Sequence, residues 1–565
     1  MSRIVDAVLV ASRLTDRGLT VGAPGEPRNL LWAQVHERAR CIASALVERG
    51  LAKRATIAVL ASDPEIVAMT VQGAWLAGSH VAMLHQPTAR TEWKSWIAET
   101  VKTLRMISAD VVLLGSSFAS LASTPAFAML PCVAIADLAS APISEVVGSG
   151  EEDTAIMQLT SGSTAEPKAI VITHGNLFSN LTSMICATGV NVEREVFMSW
   201  LPLFHDMGMM GFLVLPMAFG TNLVSIRTEE FVFRPIVWAQ LISTYQATVT
   251  AGTDFSYVVL GRELAGAEAG TYDLSTLRIA LNGGDPIDVT ALQGFTAEAV
   301  RFGMDRAAIF PAYGLAEATL AVSFVEPSTG LRVDRVLTDQ LEHDQVAVPA
   351  RTGGNDTKSR TSSTRTFPLL GKPLPGVEVK IVTESGRECS EREVGELWLR
   401  GPSIARRYLT VDGPIRTQRH GDGWVATGDL GYRVNGEIVI CGRITDVITV
   451  GGRRLYPTDI ERVAAGVTGV RTGNVVTLRL DEGARRERFA VVLESRSAGD
   501  PAAEDRIQRE VGERVAATVG IPPDAVLVLP PGALPKTTSG KLRRAATKSL
   551  FSSQLPTQKH ARKDV

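Results

Sequence analysis

Cysteine is scarce and unpatterned: the chain of 565 residues has five, at positions 41, 132, 186, 389 and 441, with no CxxC spacing. That argues against a disulfide framework or a zinc site and for a reducing, cytoplasmic compartment. An excess of charge of one sign is also missing. Lys plus Arg is 58 against 60 Asp plus Glu, a net charge of -2, so the chain lacks the basic field of a dedicated nucleic-acid binder. Unbroken long apolar runs are absent. Residues 111–136 contain Pro125 and Pro131, and residues 207–226 contain Pro216 and three glycines. Both runs are therefore read as buried strands and loops, and no transmembrane segment is expected. The short N-terminal run 4–10 is interrupted by Asp6, too weak a pattern for a signal peptide. There is no GxxxxGK[ST] phosphate loop and no repeat of fixed short period.

What remains is a long chain of ordinary globular composition. Its length corresponds to roughly three or four structural units, ample to bury large cores. Apolar residues at 31, 35, 39, 42 and 46 form one helical stripe ahead of Gly50. Strand-like runs at 55–61 and 80–84 flank a helix-like stretch at 64–76, and similar runs recur at 111–114, 154–159, 196–200, 222–226 and 277–281. This alternation predicts βαβ units and a mostly parallel sheet. Between about 331 and 366 the pattern fails, and 353–366 is so polar that it reads as an exposed loop. Short strands follow at 377–382, 395–399 and 437–441. A last, smaller unit carries strands at 474–478 and 489–493 and a helix at 505–519. The expected fold is α/β. A large N-terminal domain, 1–442, has mixed, mostly parallel sheets flanked by helices plus a β-rich subdomain. A hinge at 443–446 leads to a small mobile α+β domain at 447–550 and a flexible tail at 551–565.

Five segments carry chemistry. In Leu159-Thr160-Ser161-Gly162-Ser163-Thr164-Ala165-Glu166-Pro167-Lys168 a strand runs into a loop of small hydroxyl residues with a lysine beyond it. Converging short donors suit a polyphosphate, although a Ser/Thr-rich surface turn has the same composition. Tyr313-Gly314-Leu315-Ala316-Glu317 offers an aromatic to stack on a base and a carboxylate that can hold Mg²⁺. Thr427-Gly428-Asp429-Leu430-Gly431 places an aspartate in a Gly-flanked turn, a bidentate acceptor for ribose hydroxyls or simply an Asx turn. Gly442-Arg443-Ile444-Thr445-Asp446 is the fourth. The fifth, Pro535-Lys536-Thr537-Thr538-Ser539-Gly540-Lys541, puts a lysine on a mobile Gly/Ser loop; a solvated basic tail is the plain alternative.

Together and in this order, these segments resemble the adenylate-forming superfamily of acyl-CoA synthetases, peptide-synthetase adenylation domains and luciferases. Trp200-Leu201-Pro202-Leu203-Phe204-His205-Asp206-Met207-Gly208 and the extra stretch at 331–366 resemble the fatty acyl-AMP ligase branch. Within it the nearest likeness is to mycobacterial ligases that lipidate mycobactin siderophores. The resemblance implies that Thr160, Ser161, Gly162, Ser163, Thr164 and Lys168 cradle the phosphates of ATP. It further implies that Glu317 binds Mg²⁺, that Gly283, Gly284, Asp285, Tyr313 and Gly314 frame the adenine, and that Asp429 and Arg443 hold the ribose. Lys541 would reach the α-phosphate from the small domain, and His205 and Asp206 would line the junction of nucleotide and acyl sites. Two positions depart from the pattern: Ala169 stands where glycine is usual, and Thr445 stands at the hinge where Asp or Lys prevails.

The implied reaction is ATP-dependent activation of a medium- or long-chain fatty acid to acyl-AMP and pyrophosphate. Acyl transfer to the phosphopantetheine thiol of an acyl carrier protein would follow, for lipidated siderophore or other complex lipid biosynthesis. A fatty acyl-CoA synthetase shares the first half-reaction and is the alternative within enzymes; a non-catalytic nucleotide-binding protein is the alternative outside them. The resemblance also implies an acidic carrier. From 536 to 564 there are eight Lys or Arg residues and one acid, and Arg544 and Lys548 are assigned to steering that partner.

Overall fold

The computed structural model describes the chain except residues 88–90, 128–129, 144, 162–165, 351–362, 418, 485, 537–541 and 557–565, and except the side chains of Ser161, Arg419 and His420. Two large sheets form the body. In the first, Ile309–Gly314, Ile279–Asn282, Val249–Gly252, Val196–Ser199, Asn222–Ser225 and Gly18–Val21 run parallel as neighbours, with antiparallel strands at both edges. The second contains Pro167–Thr173, Thr154–Ser161, His80–Met83, Thr56–Leu60 and Val111–Leu114, extended at one edge by the hairpin Arg407–Thr410 and Gly413–Arg416. Helices such as Trp32–Glu48 and Pro64–Leu76 cover the sheets. Pro64 opens its helix at the position where a missing N–H costs nothing. The expected mixed, mostly parallel α/β body is present.

A third, antiparallel sheet joins Glu378–Val382, Gly395–Arg400, Trp424–Val434 and Glu437–Arg443. Beyond it, the sheet Val470–Leu480, Arg488–Ser495 and Ala525–Leu529 packs against the helices Pro457–Ala465 and Pro501–Val519 around Val475, Phe489, Val491 and Ile507. Among the described residues no helix is long and apolar enough to cross a membrane.

Some expectations fail locally. Leu31 is not on the helical stripe: it ends the strand Arg28–Leu31 and is 36% exposed, while Val35, Ala39, Ile42 and Leu46 are buried. Residues 207–219 are helical rather than strand and loop. A π-helical segment, Met207–Val214, runs into the α-helix Leu215–Phe219. A segment apolar on every side has no periodicity to separate helix from strand, and Pro216 stands where the π-helical segment passes into the α-helix.

The stretch 331–366 is also more structured than its polarity suggests. Val333–Leu337 pairs antiparallel with Thr364–Pro368, a helix Thr338–His343 follows the first strand, and Val336, Leu341, Ala347 and Phe367 are buried beside Val447 and Tyr456. The polar residues 351–362 lie outside the described residues. Arg365 is only 8% exposed, which is sustainable because Asp459 of the small unit lies 2.8 Å away and the Tyr456 ring lies 4.4 Å beneath its guanidinium. Glu342 pairs with Arg453 and the Gln345 side chain accepts from Arg454 at 2.9 Å. The stretch thus grips the small unit through several polar ties.

Candidate active site

Strand ends and register assemble the site. Thr154–Ser161 and Pro167–Thr173 are antiparallel neighbours with Thr160 opposite Lys168 and Ser161 opposite Pro167. The hydroxyl-rich segment is therefore the connection of a hairpin; Gly162, Ser163 and Thr164 lie outside the described residues. The parallel strands Ile279–Asn282 and Ile309–Gly314 are neighbours, so Gly283-Gly284-Asp285 and Tyr313-Gly314 emerge side by side at their C-terminal ends, where α/β sheets place their ligands. Glycine is needed twice here. Gly284 has φ +86°, and a Cβ on Gly314 would lie 2.1 Å from the Leu320 carbonyl oxygen.

Asp429 lies in a long strand, Trp424–Val434, rather than in an Asx turn. Antiparallel pairing sets Asp429 directly opposite Arg443 on Glu437–Arg443, across fourteen residues of chain. The Arg443 Nε donates to Asp429 Oδ1 at 3.0 Å and the Tyr313 hydroxyl donates to Oδ2 at 2.6 Å. Burial pushes the Asp429 carboxyl up, and Arg443 offsets part of that; the same carboxylate holds the Arg443 guanidinium above its usual value. The aromatic and the carboxylate separated by 116 residues thereby become one unit.

Glu317 sits on a single 3₁₀ turn, Ala316–Ala318, after the Tyr313 strand. Burial raises its carboxyl against the pull of its own backbone N–H, and the Tyr408 hydroxyl donates to Oε1 at 3.4 Å. A buried carboxylate facing a cleft with so weak a donor is one that a cation would stabilise. His205 Nδ1 and Asp206 Oδ1 are 2.7 Å apart, and Asp206 also accepts the Met207 N–H, capping the π-helical segment. The Gln158 side chain donates to the Phe204 carbonyl at 2.9 Å, tying the phosphate-side strand to this corner.

All these groups open onto one cleft of about 2100 Å³, which Thr160, Lys168, His205, Glu317, Asp429 and Arg443 line. Asp206, Gly283, Gly284, Asp285, Tyr313 and Gly314 border the same space. Its apolar side carries Met184, Phe212, Leu281, Leu320 and Phe324. From the small unit come Leu542, Arg543 and Arg544. Lys541 itself lies outside the described residues, but Leu542 bridges to Lys536 and the Arg543 N–H donates to the Pro535 carbonyl at 2.9 Å, so both flanks of that segment are tied together at the cleft.

Sequence motifs missed Tyr408, His85 and Arg543 as cleft residues. His85 follows the strand His80–Met83, and its position just past a parallel strand end was the available signal. Tyr408 had none: it reaches Glu317 because its hairpin extends the second sheet beside Pro167–Thr173. One assignment is overturned. Arg544 is not free to steer a partner. Its guanidinium forms a two-point bridge to Glu461 (Nη2 to Oε2, 3.0 Å) and its Nε lies 3.3 Å from Asp446. Lys548, on the exposed side, pairs with Glu482 at 2.9 Å.

Comparison with known proteins places this geometry. A sequence profile of AMP-binding enzymes matches residues 10–409. The chain is 44% identical to a putative ligase of Mycobacterium tuberculosis over 97% of its own length and 100% of that protein's. It is 33% identical to a medium-chain-fatty-acid–[acyl-carrier-protein] ligase of Moorena producens, over 70% of this chain and 67% of that one. A structure from work on fatty acyl-adenylate ligases of E. coli and L. pneumophila superposes with a TM-score of 0.87 and 28% identity, covering 98% of each chain.

Proposed function

The chain belongs to the AMP-binding enzyme family, and from that membership we propose that it activates a medium- or long-chain fatty acid with ATP and passes the acyl group to an acyl carrier protein. The observation that carries the reading is the convergence, in one cleft, of the Asp429–Arg443–Tyr313 unit, the buried Glu317, Lys168 and the His205–Asp206 corner beside an apolar wall. The carrier half rests on the Moorena relative's carrier-protein ligase name. A cytoplasmic setting follows from the use of ATP and agrees with five free cysteines. A lipidated siderophore or another complex lipid is the product class we attach to it.

In this reading Asp429 accepts the ribose hydroxyls, Arg443 keeps that carboxylate charged, and Tyr313 with the Gly283-Gly284-Asp285 turn frames the adenine. Thr160 and Lys168 meet the phosphates from opposite strands. The oxygen ligands fit Mg²⁺, which takes one or two carboxylates and completes its shell with phosphate and water; Glu317 would hold it. Among the described residues no cluster of three metal-ligating side chains exists, in keeping with a cation brought in by the nucleotide. Bound there, Mg²⁺ would neutralise phosphate charge. The fatty carboxylate approaches past His205, attacks the α-phosphorus, and the bond to the β,γ-diphosphate breaks. A carboxylate and a triphosphate repel each other, so fixed positive charge and alignment supply most of the acceleration. The protein itself needs no covalent nucleophile.

The test is product analysis by mass spectrometry with ATP, a panel of fatty acids, and either CoA or a holo carrier protein. Acyl-AMP with acyl-carrier product is expected. Acyl-CoA as the main product returns the chain to the synthetase alternative, and no adenylate with any acid leaves a nucleotide binder.

The grip of the 331–366 stretch on the small unit gives a further expectation. Removing 351–362 keeps the buried strand pair Val333–Leu337 and Thr364–Pro368 and should leave the fold intact. Cutting the tie by Arg365→Ala together with Asp459→Ala, so that no buried charge is left unpaired, should leave adenylation near normal and raise transfer to free CoA severalfold. Transfer to CoA that stays at background in both variants would show that the stretch is not the restraint.

A further inference from the structure

The triphosphate end of the proposed substrate carries several negative charges, so the cations that face the cleft can be sorted by whether a carboxylate already holds them. Arg365 is held by Asp459 at 2.8 Å, Arg443 by Asp429 at 3.0 Å, and Arg462 by Asp288 at 2.9 Å. Arg479 is held by Glu487 at 2.7 Å, Lys548 by Glu482 at 2.9 Å, and Arg544 by Glu461 and Asp446. Four remain with no side-chain hydrogen bond or ion pair among the described residues: Lys168, Arg262, Arg416 and Arg543. Lys168 is already placed on the phosphates. Arg262 stands on the helix Asp254–Ala265 with Phe255 and Val258, on the Gly283–Asp288 side of the cleft. Arg416 is exposed on the edge hairpin.

Arg543 is different in three respects. It is half-buried, whereas Arg262 and Arg416 are exposed. It is delivered to the cleft by the small unit, at the head of the helix Arg544–Leu550, and its neighbour Arg544 pins that helix head through Glu461 and Asp446. Its charge is felt at His85: burial, the His205 ring and then Arg543 all push the His85 imidazole down, to about 4. His85 borders the cleft beside Leu159, on the strand that runs into the phosphate hairpin, with its ring 5.4 Å from that of Phe204. A half-buried guanidinium with no anionic partner among the described residues lacks the counter-charge that such a group requires.

We propose that Arg543 is a second cationic contact from the small unit, binding the β- and γ-phosphates of ATP and the departing pyrophosphate across the cleft from Lys168. The inference rests on the adenylating reading of the site. Arg543 lies two residues beyond Lys541 in the chain, so one segment would bring one charge to the α-phosphate and a forked donor to the leaving group. A guanidinium matches two phosphate oxygens at once. Rotation of the small unit after adenylation would withdraw this contact and release pyrophosphate, which couples product release to the change of step.

The test is titration calorimetry of the full-length protein with three probes, Mg²⁺-pyrophosphate, Mg²⁺-ATP and AMP. Arg543→Ala should weaken pyrophosphate and ATP by roughly ten- to a hundredfold, the size expected for a lost charge-assisted bond. AMP, which lacks the β- and γ-phosphates, should bind within about twofold of wild type, and Arg543→Lys should recover part of the loss, as a point charge without the fork would. Equal pyrophosphate affinity in wild type and Arg543→Ala, or an equal loss for AMP, overturns the proposal, the second by showing a structural role. These bindings need no fatty acid. Wild-type protein that binds pyrophosphate through Arg543 yet forms no acyl-AMP would therefore overturn the adenylating reading while leaving the phosphate contact standing. Failure of wild type to bind pyrophosphate at all would overturn the contact.

Discussion

Lys541→Ala is expected to lower acyl-adenylate formation by about a hundredfold or more, the loss of a preorganised charge at the reacting phosphorus. The described flanks support the site of action. Leu542 and Arg543 line the cleft, and the Lys536–Leu542 bridge closes the segment that carries the lysine. Pyrophosphate release with a fatty acid and ATP measures the first step. Acyl transfer from preformed acyl-AMP to a holo carrier measures the second, and it should survive much better if, as proposed, the small unit turns away between the steps. Equal loss in both steps would mean that the variant is misfolded or that no such turn occurs.

Arg544→Ala should act on stability instead. Glu461 and Asp446 would be left facing each other without their cation, and Glu461 also accepts the Thr477 N–H, so it cannot simply swing into water. Breaking a largely buried ion network by removing one partner costs on the order of 3 kcal/mol. A small unit of this size feels that as a clear fall in its own melting transition, and calorimetry with limited proteolysis between the two bodies would register it. Arg544→Lys should recover only part, since an ammonium cannot bridge the two carboxylates as a fork does. An unchanged melting transition, with carrier transfer reduced only at low salt, would restore the steering role that the geometry removes. Lys548, half-buried and paired among the described residues with Glu482, keeps that role open for itself.

The contrast between Arg543 and Arg544 illustrates what a sequence can carry. Both stand in one basic run, and composition treats them alike. Both line the cleft, but Arg544 is held by two carboxylates supplied by residues 446 and 461, whereas Arg543 has no such partner among the described residues. Which is which depends on where the helix Arg544–Leu550 sits against the strand Val470–Leu480. Polarity misleads in the same way at 363–368. Alternation of Arg365 and Phe367 on one strand face hides in a run of Ser, Thr and Arg, because a buried arginine with its own aspartate leaves no hydrophobic trace.

Local chemistry was legible where a segment's own backbone does the work. The strands near 56–60, 80–83, 111–114 and 222–225 and the helix Pro64–Leu76 follow from runs of apolar residues bounded by turn formers. The ordered motifs also sufficed to name the family, since each is a contiguous stretch. Tertiary structure alone decided that Asp429 is a strand residue facing Arg443, that Tyr313 donates to it, that Tyr408 reaches Glu317, and that the 331–366 stretch holds the small unit. Apart from the hairpin pair Asp429 and Arg443, these join residues far apart in the chain, and their meeting is fixed by sheet register and the seating of one domain on another. Those are set by the packing free energy summed over whole cores, a quantity no single segment contains.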